Sequence, residues 1–357
     1  QNKSLQVRNG LPKTMEERSW TQQAIDRFFK TRESPTQSEC DDHARKISGA
    51  SAVQEIAVPG SLSYTVRCIN FPDERRDLVV SFRQPESTLD QAVIKLARSI
   101  HGALVPEATF HGKMPDSNPP LLVYTMPYLP GIPCLEALGS KAELSLEEEG
   151  RHICFAKHLA RYFARCWLNP QPVDPEVQAD CQDRVYHRLM KIKNSSPSIL
   201  PCTTIIELER SLPILFRQTY PQVLTHNDLS QTNILINKET FEITGVVDWS
   251  LARVLPFGME LDTLLLATGY MDLSGWHNYT CRLQMLNAFW DEFWIQCQVY
   301  DDVHQREIRA SAMQATKIGA VLHYAFQRNA DGSPSEELTT SKWALKTLNA
   351  LLLDQSL

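Results

Sequence analysis

The chain lacks the patterns that mark membrane and secreted proteins. No apolar run among its 357 residues reaches the roughly 20 residues that a transmembrane helix needs. The first residues, Gln1–Arg8, contain no apolar segment of the kind found in a signal peptide. We therefore expect a soluble, cytoplasmic protein with no membrane partner.

Positive charge is also scarce. The 36 lysines and arginines are outnumbered by 42 aspartates and glutamates, which gives a formal net charge of −6. No basic stripe stands out that could neutralise the phosphates of a nucleic acid. We therefore expect a small-molecule partner and no nucleic acid.

Paired cysteines and repeated segments are absent as well. The nine cysteines are odd in number, scattered, and never spaced as CxxC, so they predict reduced core thiols rather than disulfides or a zinc site. No internal repeat or low-complexity tract interrupts the chain. With 43% hydrophobic and 22% charged residues, the composition is ordinary for a globular enzyme with one large or two modest cores.

One polar segment stands out against this background. Residues 226–233 read HNDLSQTN, and Asp248 follows 15 residues after Asn233. Between these two positions, an apolar run, a turn-like stretch and a second apolar run predict a β-hairpin. Antiparallel strands bring their outer ends together, so the side chains of Asn233 and Asp248 should be able to reach one ion.

This spacing suits metal-assisted phosphoryl transfer. Asp228 would orient a hydroxyl group, and Asn233 and Asp248 would supply oxygen ligands to Mg²⁺. The alternative is a capping aspartate, a turn asparagine and a buried ion-paired aspartate, each of which is common singly. Their joint spacing beside an apolar strand favours the catalytic interpretation.

Residues 225–252 resemble the catalytic core of the aminoglycoside phosphotransferase and choline kinase-like family, which are small-molecule kinases with the protein kinase fold. The family's loop typically reads His-Gly-Asp, with Asn five residues after the Asp, and then an apolar strand that ends in Asp. Asp228 matches the catalytic Asp, and Asn233 and Asp248 match the two metal ligands. A weaker similarity covers residues 121–131, which resemble the family's hinge.

The resemblance implies an α+β, two-lobed protein kinase-like fold. Residues 1–50 would be an N-terminal extension packed on the first lobe. Residues 51–129 would form a small mixed α/β lobe that binds the nucleotide. Residues 130–357 would form a larger, mostly helical lobe for catalysis and substrate binding. The implied cofactors are ATP or GTP, and Mg²⁺.

Several residues before position 130 are candidate nucleotide ligands. A Gly/Ser turn between two predicted strands, within residues 56–68, lies where a kinase-like fold covers the phosphates, although a single glycine is also typical of a plain hairpin turn. The hydroxyls of Ser61 and Ser63 could face phosphate oxygens. The backbone of the hinge-like segment would bind the base, at Thr125, Met126 and Tyr128.

The phosphate-anchoring pair of the family is altered in this chain. The resembled family has a cationic side chain in the strand that corresponds to residues 77–83, and a Glu in the next helix pairs with it. Here the strand contains no lysine and Arg83 is the only nearby cation, while Asp90 or Gln91 stands where the Glu is expected. Arg83 is therefore either a phosphate anchor held by Asp90 or a solvated charge at the end of a strand.

Two features favour a small-molecule kinase over a protein kinase. Asn227 stands where protein kinases have an Arg before the catalytic Asp, and only residues 249–256 separate Asp248 from the start of the next predicted helix. Asp262, in that helix, is expected to anchor residues 226–233, the predicted catalytic loop, or to cap the helix. His226 is expected to hold the loop through hydrogen bonds of its ring.

We therefore predict an ATP-dependent, Mg²⁺-assisted phosphotransferase that acts on a hydroxyl or amine of a small-molecule metabolite. The alternative is a kinase-fold protein repurposed for other metabolite chemistry, or a non-catalytic nucleotide-binding pseudokinase, because the strand Lys and the helix Glu are missing.

The acceptor stays open between two chemical classes. An acidic pocket for a polycation could come from Asp291, Glu292, Asp301 and Asp302, although such charges are usually a solvated helix face. An aromatic or terpenoid-like metabolite, or a single ammonium group, would suit Trp290, Phe293 and Trp294.

Overall fold

The computed structural model describes residues 15–30, 32–72, 77–329 and 332–352. The chain divides into two units. The first contains the described residues up to Thr88 together with Ala108–Tyr128. The second contains Leu89–Glu107 together with the described residues from Leu129 onward. The helix that follows the third strand thus belongs to the second unit, although the sequence-based division kept it in the first.

The first unit is built on a five-stranded antiparallel sheet with the strand order β1-β2-β3-β5-β4. Its strands are β1 (Ala52–Glu55), β2 (Ser63–Ile69), β3 (Leu78–Arg83), β4 (Thr109–Lys113) and β5 (Leu122–Pro127). Along β2 the side chains of Tyr64, Val66 and Cys68 are buried and those between them are partly exposed. This alternation places one face of the strand against the core.

Two helices from the predicted N-terminal extension complete the core of the first unit. They are α1 (Met15–Lys30) and α2 (Gln37–Ser48). The two helices and the central strands contribute buried apolar side chains to one cluster, which includes Ile25, Phe28, Cys40, Ala44, Val66 and Phe82. The two helices therefore share their core with the sheet.

The segment before β2 differs from the prediction of a strand that starts at Ile56. The strand β1 ends at Glu55, and residues 56–62 form a loop. Pro59 cannot donate a backbone hydrogen bond to a neighbouring strand. A Cβ atom at Gly60 would lie 2.5 Å from the hydroxyl of Ser63, so the loop closes tightly over the start of β2.

The second unit is mostly helical. Its helices are α3 (Gln91–His101), α4 (Cys134–Ala137), α5 (Leu146–Leu168), α6 (Pro175–Lys193), α7 (Cys202–Leu215), α8 (Asp262–Leu266), α9 (Arg282–Cys297), α10 (Asp302–Tyr324) and α11 (Lys342–Leu352). The long helix α5 begins at a capping box, in which the Ser145 hydroxyl accepts from the Glu148 N–H and the Glu148 carboxylate accepts from the Ser145 N–H. Among the described residues, no helix is both long and apolar enough to cross a bilayer.

The aromatic residues of α9 form core and not a binding surface. Trp290, Phe293 and Trp294 are only 2%, 0% and 8% exposed. The ring of Phe293 lies 6.2 Å from that of Trp167 on α5, and the two tryptophans of α9 stack at 5.1 Å. The prediction that these rings bind an aromatic acceptor is therefore wrong, because helix packing covers them.

Two of the four acidic candidates near α9, Glu292 and Asp301, already accept hydrogen bonds within the second unit. The Glu292 carboxylate accepts a hydrogen bond from Arg161 Nε at 2.7 Å. The Asp301 side chain caps α10 by accepting from the His304 N–H at 2.8 Å. Neither carboxylate lines the cavity that is described below.

Small antiparallel sheets position the loops of the second unit. In the described part of the chain these are β6 (Ile132–Pro133), β8 (Ile234–Ile236) and β9 (Ile243–Val246) in one sheet, and the pairs β7 (Gln222–Thr225) with β10 (Arg253–Pro256), β11 (Gly269–Met271) with β12 (Trp276–Asn278), and β13 (Phe326–Arg328) with β14 (Pro334–Leu338). The polar segment 226–233 connects β7 to β8. Residues 247–252 connect β9 to β10.

Candidate active site

The predicted hairpin is present, and its open end joins the two connecting loops. Ile234 pairs with Val246 across β8 and β9. One residue beyond this pair, the Val247 N–H donates to the Asn233 carbonyl at 2.9 Å. Asp248 follows directly, so the structure brings the chain at Asn233 and the chain at Asp248 to the same end of the hairpin.

Asn233 is oriented by Asp228. Its side-chain nitrogen donates to the Asp228 carbonyl at 2.8 Å and to the Asp228 carboxylate at 3.1 Å. Both bonds use the amide N–H groups of Asn233, so the amide oxygen is the atom left to bind a cation. The catalytic loop itself therefore sets the side chain in an orientation suited to a metal ligand.

Asp248 has an unusual backbone. It adopts the left-handed conformation, with φ 64° and ψ 62°, which costs a residue with a side chain about 1 kcal/mol or more. The Ser250 hydroxyl donates to one of its carboxylate oxygens at 3.0 Å. An amide oxygen and a carboxylate are the hard donors that Mg²⁺ prefers, so the donor set fits this ion.

Asn227 shows why this chain departs from the His-Gly-Asp pattern of the family it resembles. Its φ angle is 64°, in the left-handed region that glycine adopts freely and that asparagine tolerates better than most residues. Asparagine can therefore take the place of glycine without a change in the path of the loop.

His226 links the catalytic loop to the strand end before Asp248. Its Nε2 donates to the Val247 carbonyl at 2.8 Å. Its ring packs edge-to-face with that of Trp249, and the two ring centroids are 4.7 Å apart. The side chain is fully buried, and burial lowers the pKa of the imidazole. These contacts fit the structural role that was predicted for His226.

The anchor of the catalytic loop is Glu260, which the sequence analysis missed. Its two carboxylate oxygens accept from the His226 N–H at 3.1 Å and from the Leu229 N–H at 3.3 Å. Burial raises the pKa of Glu260 to about 8, the nearby charge of Asp262 adds to this, and the backbone N–H groups oppose it. Asp262, which was predicted to anchor the loop or to cap the helix, instead accepts from His323 Nδ1 at 2.9 Å.

Glu260→Ala should lower the free energy of unfolding by about 1–3 kcal/mol for each backbone donor that it leaves buried and unpaired. Glu260→Gln keeps one acceptor oxygen and should lose less. Urea unfolding of both variants measures the difference. An alanine variant as stable as the wild type would show that the loop does not depend on this carboxylate.

A cavity of about 560 Å³ opens beside the catalytic loop, within the second unit. Asp228 lines it, and aromatic side chains form much of its wall: Tyr270, Trp276, Tyr324 and Trp343. This volume suits a small organic ligand. The hairpin β11–β12 supplies the first two of these aromatics, and the turn residues Asp, Ser and Gly between aromatic positions could have predicted it.

The carboxylate of Asp228 is partly buried between the loop and the cavity. Burial raises its pKa, while the charges of His226 and Arg328 lower it. Asp228 therefore binds a proton more readily than a solvent-exposed aspartate does.

A second group of potential metal ligands lies away from this loop. Among the described residues, Cys154, His158 and Glu242 place one ligand atom each within 4.8 Å of one another. The Arg161 guanidinium lies 3.3 Å from the Nε2 atom of His158, where its charge opposes a cation. Sulfur and nitrogen donors also suit Mg²⁺ poorly. The oxygen donors at Asn233 and Asp248 are the better candidate site.

The candidate phosphate ligands of the first unit lie in and before β2 and β3. Ser61 is exposed in the loop before β2, and Ser63 is buried and pairs with Arg83 across the two strands. Arg83 is only 4% exposed, so the prediction of a solvated strand-end charge is wrong. Its guanidinium donates to the Ser87 carbonyl at 2.6 Å and to the Ser87 hydroxyl at 2.5 Å.

Asp90 and Gln91 mark the start of α3 in the second unit. The Asp90 carboxylate caps the helix by accepting from the Ala92 N–H at 2.8 Å and the Val93 N–H at 3.4 Å. Gln91 is the exposed first residue of the helix.

Arg83→Ala should lower the free energy of unfolding by about 1–3 kcal/mol, because it removes a buried charge that holds the Ser87 carbonyl. Arg83→Lys should recover only part of this loss, since an ammonium lacks the planar fork of the guanidinium. Chemical denaturation tests both, with the exposed Arg27→Ala as a control. A change within about 0.5 kcal/mol would contradict the assigned packing role.

The predicted base-binding residues lie at the end of β5. Thr125 and Met126 belong to the strand, and the Thr125 hydroxyl bonds to the ring of His111 at 2.8 Å. The Tyr128 N–H donates to the Asp77 carbonyl at 3.0 Å. Three backbone amides were predicted to bind the base. The amide of Tyr128 already donates a hydrogen bond to Asp77 within the first unit.

A profile of the phosphotransferase enzyme family (APH) matches residues 71–277, a span that includes Asp228, Asn233 and Asp248. No protein of curated function matches the chain.

Solved structures show a related fold. The GDP complex of wild-type aminoglycoside 2'-phosphotransferase-IIIa superposes with a TM-score of 0.52 at 14% identity, over 81% of this chain and 91% of that one. An ethanolamine kinase from Plasmodium vivax superposes with a TM-score of 0.50 at 11% identity, over 88% of this chain and 83% of that one. The fold is therefore that of the protein kinase-like phosphotransferases, as the sequence predicted.

Proposed function

Because the chain belongs to the phosphotransferase enzyme family, we propose that it transfers the terminal phosphoryl group of ATP or GTP, with Mg²⁺, to a hydroxyl or amine of a small-molecule metabolite. The observation that carries the proposal is the orientation of Asn233. The amide nitrogen of Asn233 donates to Asp228, so the amide oxygen is the atom left to bind a cation. Asn233 lies at the same end of the hairpin as Asp248.

Asp228 is the residue assigned to the acceptor. Its carboxylate would accept a hydrogen bond from the acceptor O–H and hold the oxygen in line for attack. As the new O–P bond forms, the bond between the terminal phosphorus and the bridging oxygen of the nucleotide breaks. The proton of the acceptor passes to Asp228 or, through it, to water.

Asn233 and Asp248 are the residues assigned to the metal. Mg²⁺, when bound, neutralises negative charge on the phosphate oxygens. The hydroxyl of Ser250 helps to fix the Asp248 carboxylate, as supporting hydrogen bonds do for many metal ligands.

The nucleotide is assigned to residues of the first unit. Ser61, Ser63 and Arg83 would bind phosphates, and the base would bind the backbone at Thr125, Met126 and Tyr128. The buried, hydrogen-bonded state of Arg83 means that a phosphate would have to share its guanidinium with Ser87. We also place the reaction in the cytoplasm, where ATP is abundant and the nine free cysteines would stay reduced.

Turnover should fall as the pH falls, and at a higher pH than an exposed aspartate would cause. Asp228 can take up the proton of the acceptor only when it is ionised, and burial raises its pKa. The acidic limb of the pH profile of kcat/KM therefore reports this carboxyl in the free enzyme. Arg328→Gln removes a charge that lowers the pKa of Asp228, so it should move that limb to higher pH. A limb that does not move would mean that another group controls it.

Nucleotide titration by calorimetry, with and without Mg²⁺, gives the first test of the function. ATP and GTP should both be tried, because the aminoglycoside 2'-phosphotransferase structure contains GDP. Incubation of the protein with a metabolite extract, ATP and Mg²⁺ should then yield a compound whose mass increases by one phosphate group.

The alternative function rests on the missing strand lysine and the internal hydrogen bonds of Arg83. A pseudokinase should bind nucleotide without any product, and a repurposed enzyme need not bind nucleotide at all. The titration and the mass assay together therefore separate the three cases.

A further inference from the structure

Among the described residues, five side chains that can carry charge line the cavity beside the catalytic loop: Asp228, Glu260, Asp262, His323 and Arg328. Their partners decide which kind of acceptor it can bind. An acceptor with several ammonium groups needs carboxylates that are free to meet it, because an ammonium taken out of water must be paired.

Two of the three carboxylates are already engaged. Both oxygens of Glu260 accept backbone N–H groups of the catalytic loop. One oxygen of Asp262 accepts from His323 Nδ1 at 2.9 Å, and the other is buried and closed to solvent. Among the described residues that line the cavity, Asp228 is therefore the one carboxylate that can meet an acceptor, and the proposed reaction already uses it.

The remaining two side chains, Arg328 and His323, suit an anionic or polar group of the acceptor. The Arg328 guanidinium is exposed and donates to the Gly332 carbonyl at 2.8 Å. His323 gives its Nδ1 to Asp262, which leaves Nε2 as the ring nitrogen able to face a ligand. Both residues are near enough to Asp228 for their charges to act on it.

The wall of the cavity is suited to a ring. Trp276 is partly buried on β12, and Trp343 on α11 is 51% exposed. Flat aromatic surfaces bind rings by stacking and apolar contact. They can also bind a single ammonium by cation–π attraction, so the charge of the acceptor is the property to be tested.

Building on the phosphotransferase function, we propose that the acceptor is an uncharged or anionic, ring-bearing alcohol and not a polycation. Its reactive hydroxyl lies at Asp228 and its ring packs on the aromatic wall of Trp276 and Trp343. A second polar or anionic group meets His323 and Arg328, which are the specificity-determining residues of the cavity.

Three probes that differ in one group test this charge preference. All carry a benzene ring with a hydroxymethyl group. The group in the para position is a carboxylate in 4-(hydroxymethyl)benzoate, a second hydroxymethyl in 1,4-benzenedimethanol, and an ammonium in 4-(aminomethyl)benzyl alcohol. Ligand-observed NMR titration of the full chain at neutral pH, without nucleotide, gives the three dissociation constants.

We expect the anion to bind about tenfold more tightly than the cation, with the neutral diol between them. Arg328→Glu should remove or reverse this order of affinities. Arg328→Gln should reduce the difference in affinity between the anion and the cation. His323→Gln should weaken the anion and the diol alike. Arg306→Glu is the matched control, because it makes the same change of charge at an exposed position of α10 and should leave the order intact.

Three results would overturn the proposal: tighter binding of the cation, equal binding of all three probes, or no binding of any probe at millimolar concentration. An order that Arg306→Glu disturbs as much as Arg328→Glu would also overturn it, since the cause would then be net charge. The assay needs no phosphoryl transfer. A failure of the proposed function would instead appear as normal probe binding without any phosphorylated product.

Discussion

Asp228→Ala should lower turnover by about 10²–10⁴-fold while nucleotide binding persists. The substitution removes the acceptor for the substrate proton and one of the two hydrogen bonds that orient Asn233, and the bond from Asn233 to the backbone carbonyl of residue 228 remains. Product formation can be followed by mass spectrometry of the metabolite extract with ATP and Mg²⁺, and nucleotide affinity by calorimetry.

Two further variants separate catalysis from folding in this experiment. Asp228→Asn keeps the size of the side chain and one oxygen that can accept from Asn233, so it should fold normally and still lose most of the turnover. Asp180→Ala, at an exposed position of α6, should behave like the wild type. Near-normal turnover in Asp228→Ala would remove this residue from the reaction.

Asp248→Asn should weaken Mg²⁺-dependent nucleotide binding by at least about tenfold. The substitution removes the charged ligand. Even mutations of residues that only hydrogen-bond to a metal ligand commonly lower metal affinity by about 10–100-fold. Calorimetric titration of nucleotide at several Mg²⁺ concentrations measures the effect. Asparagine also tolerates the left-handed backbone of this position, so the fold should survive.

Ser250→Ala tests the same metal site with a milder change. It removes one hydrogen bond to the Asp248 carboxylate and keeps the charge, so its effect should be smaller. If the wild type and Asp248→Asn depend on Mg²⁺ in the same way, the metal site lies elsewhere.

The catalytic loop and its hairpin could be predicted because their geometry is local. The spacing from Asp228 to Asn233 and on to Asp248 is contained in one loop and one hairpin, and antiparallel pairing brings the hairpin ends together without help from distant residues.

The choice between Glu260 and Asp262 could not be made in this way. The two acids are two residues apart at the start of α8, and either could reach a neighbouring loop. Packing places one under the catalytic loop and the other beside His323 of α10, 61 residues later in the chain. A contact across that distance leaves no periodic signal in the sequence.

Which aromatic residues are buried in the core and which line the cavity was likewise decided by packing between distant parts of the chain. Trp290, Phe293 and Trp294 and the cavity aromatics Trp276 and Trp343 are chemically alike in the sequence, and only the first three are covered by neighbouring helices. The local pattern by itself predicted the loop 226–233 and the hairpin after it, because short-range spacing and strand pairing set both, and the resemblance of that pattern to a known family predicted the fold class. The tertiary structure alone decided which carboxylate anchors the loop, which aromatic rings line the cavity and which carboxylates there are already hydrogen-bonded, because burial depends on residues far apart in the chain.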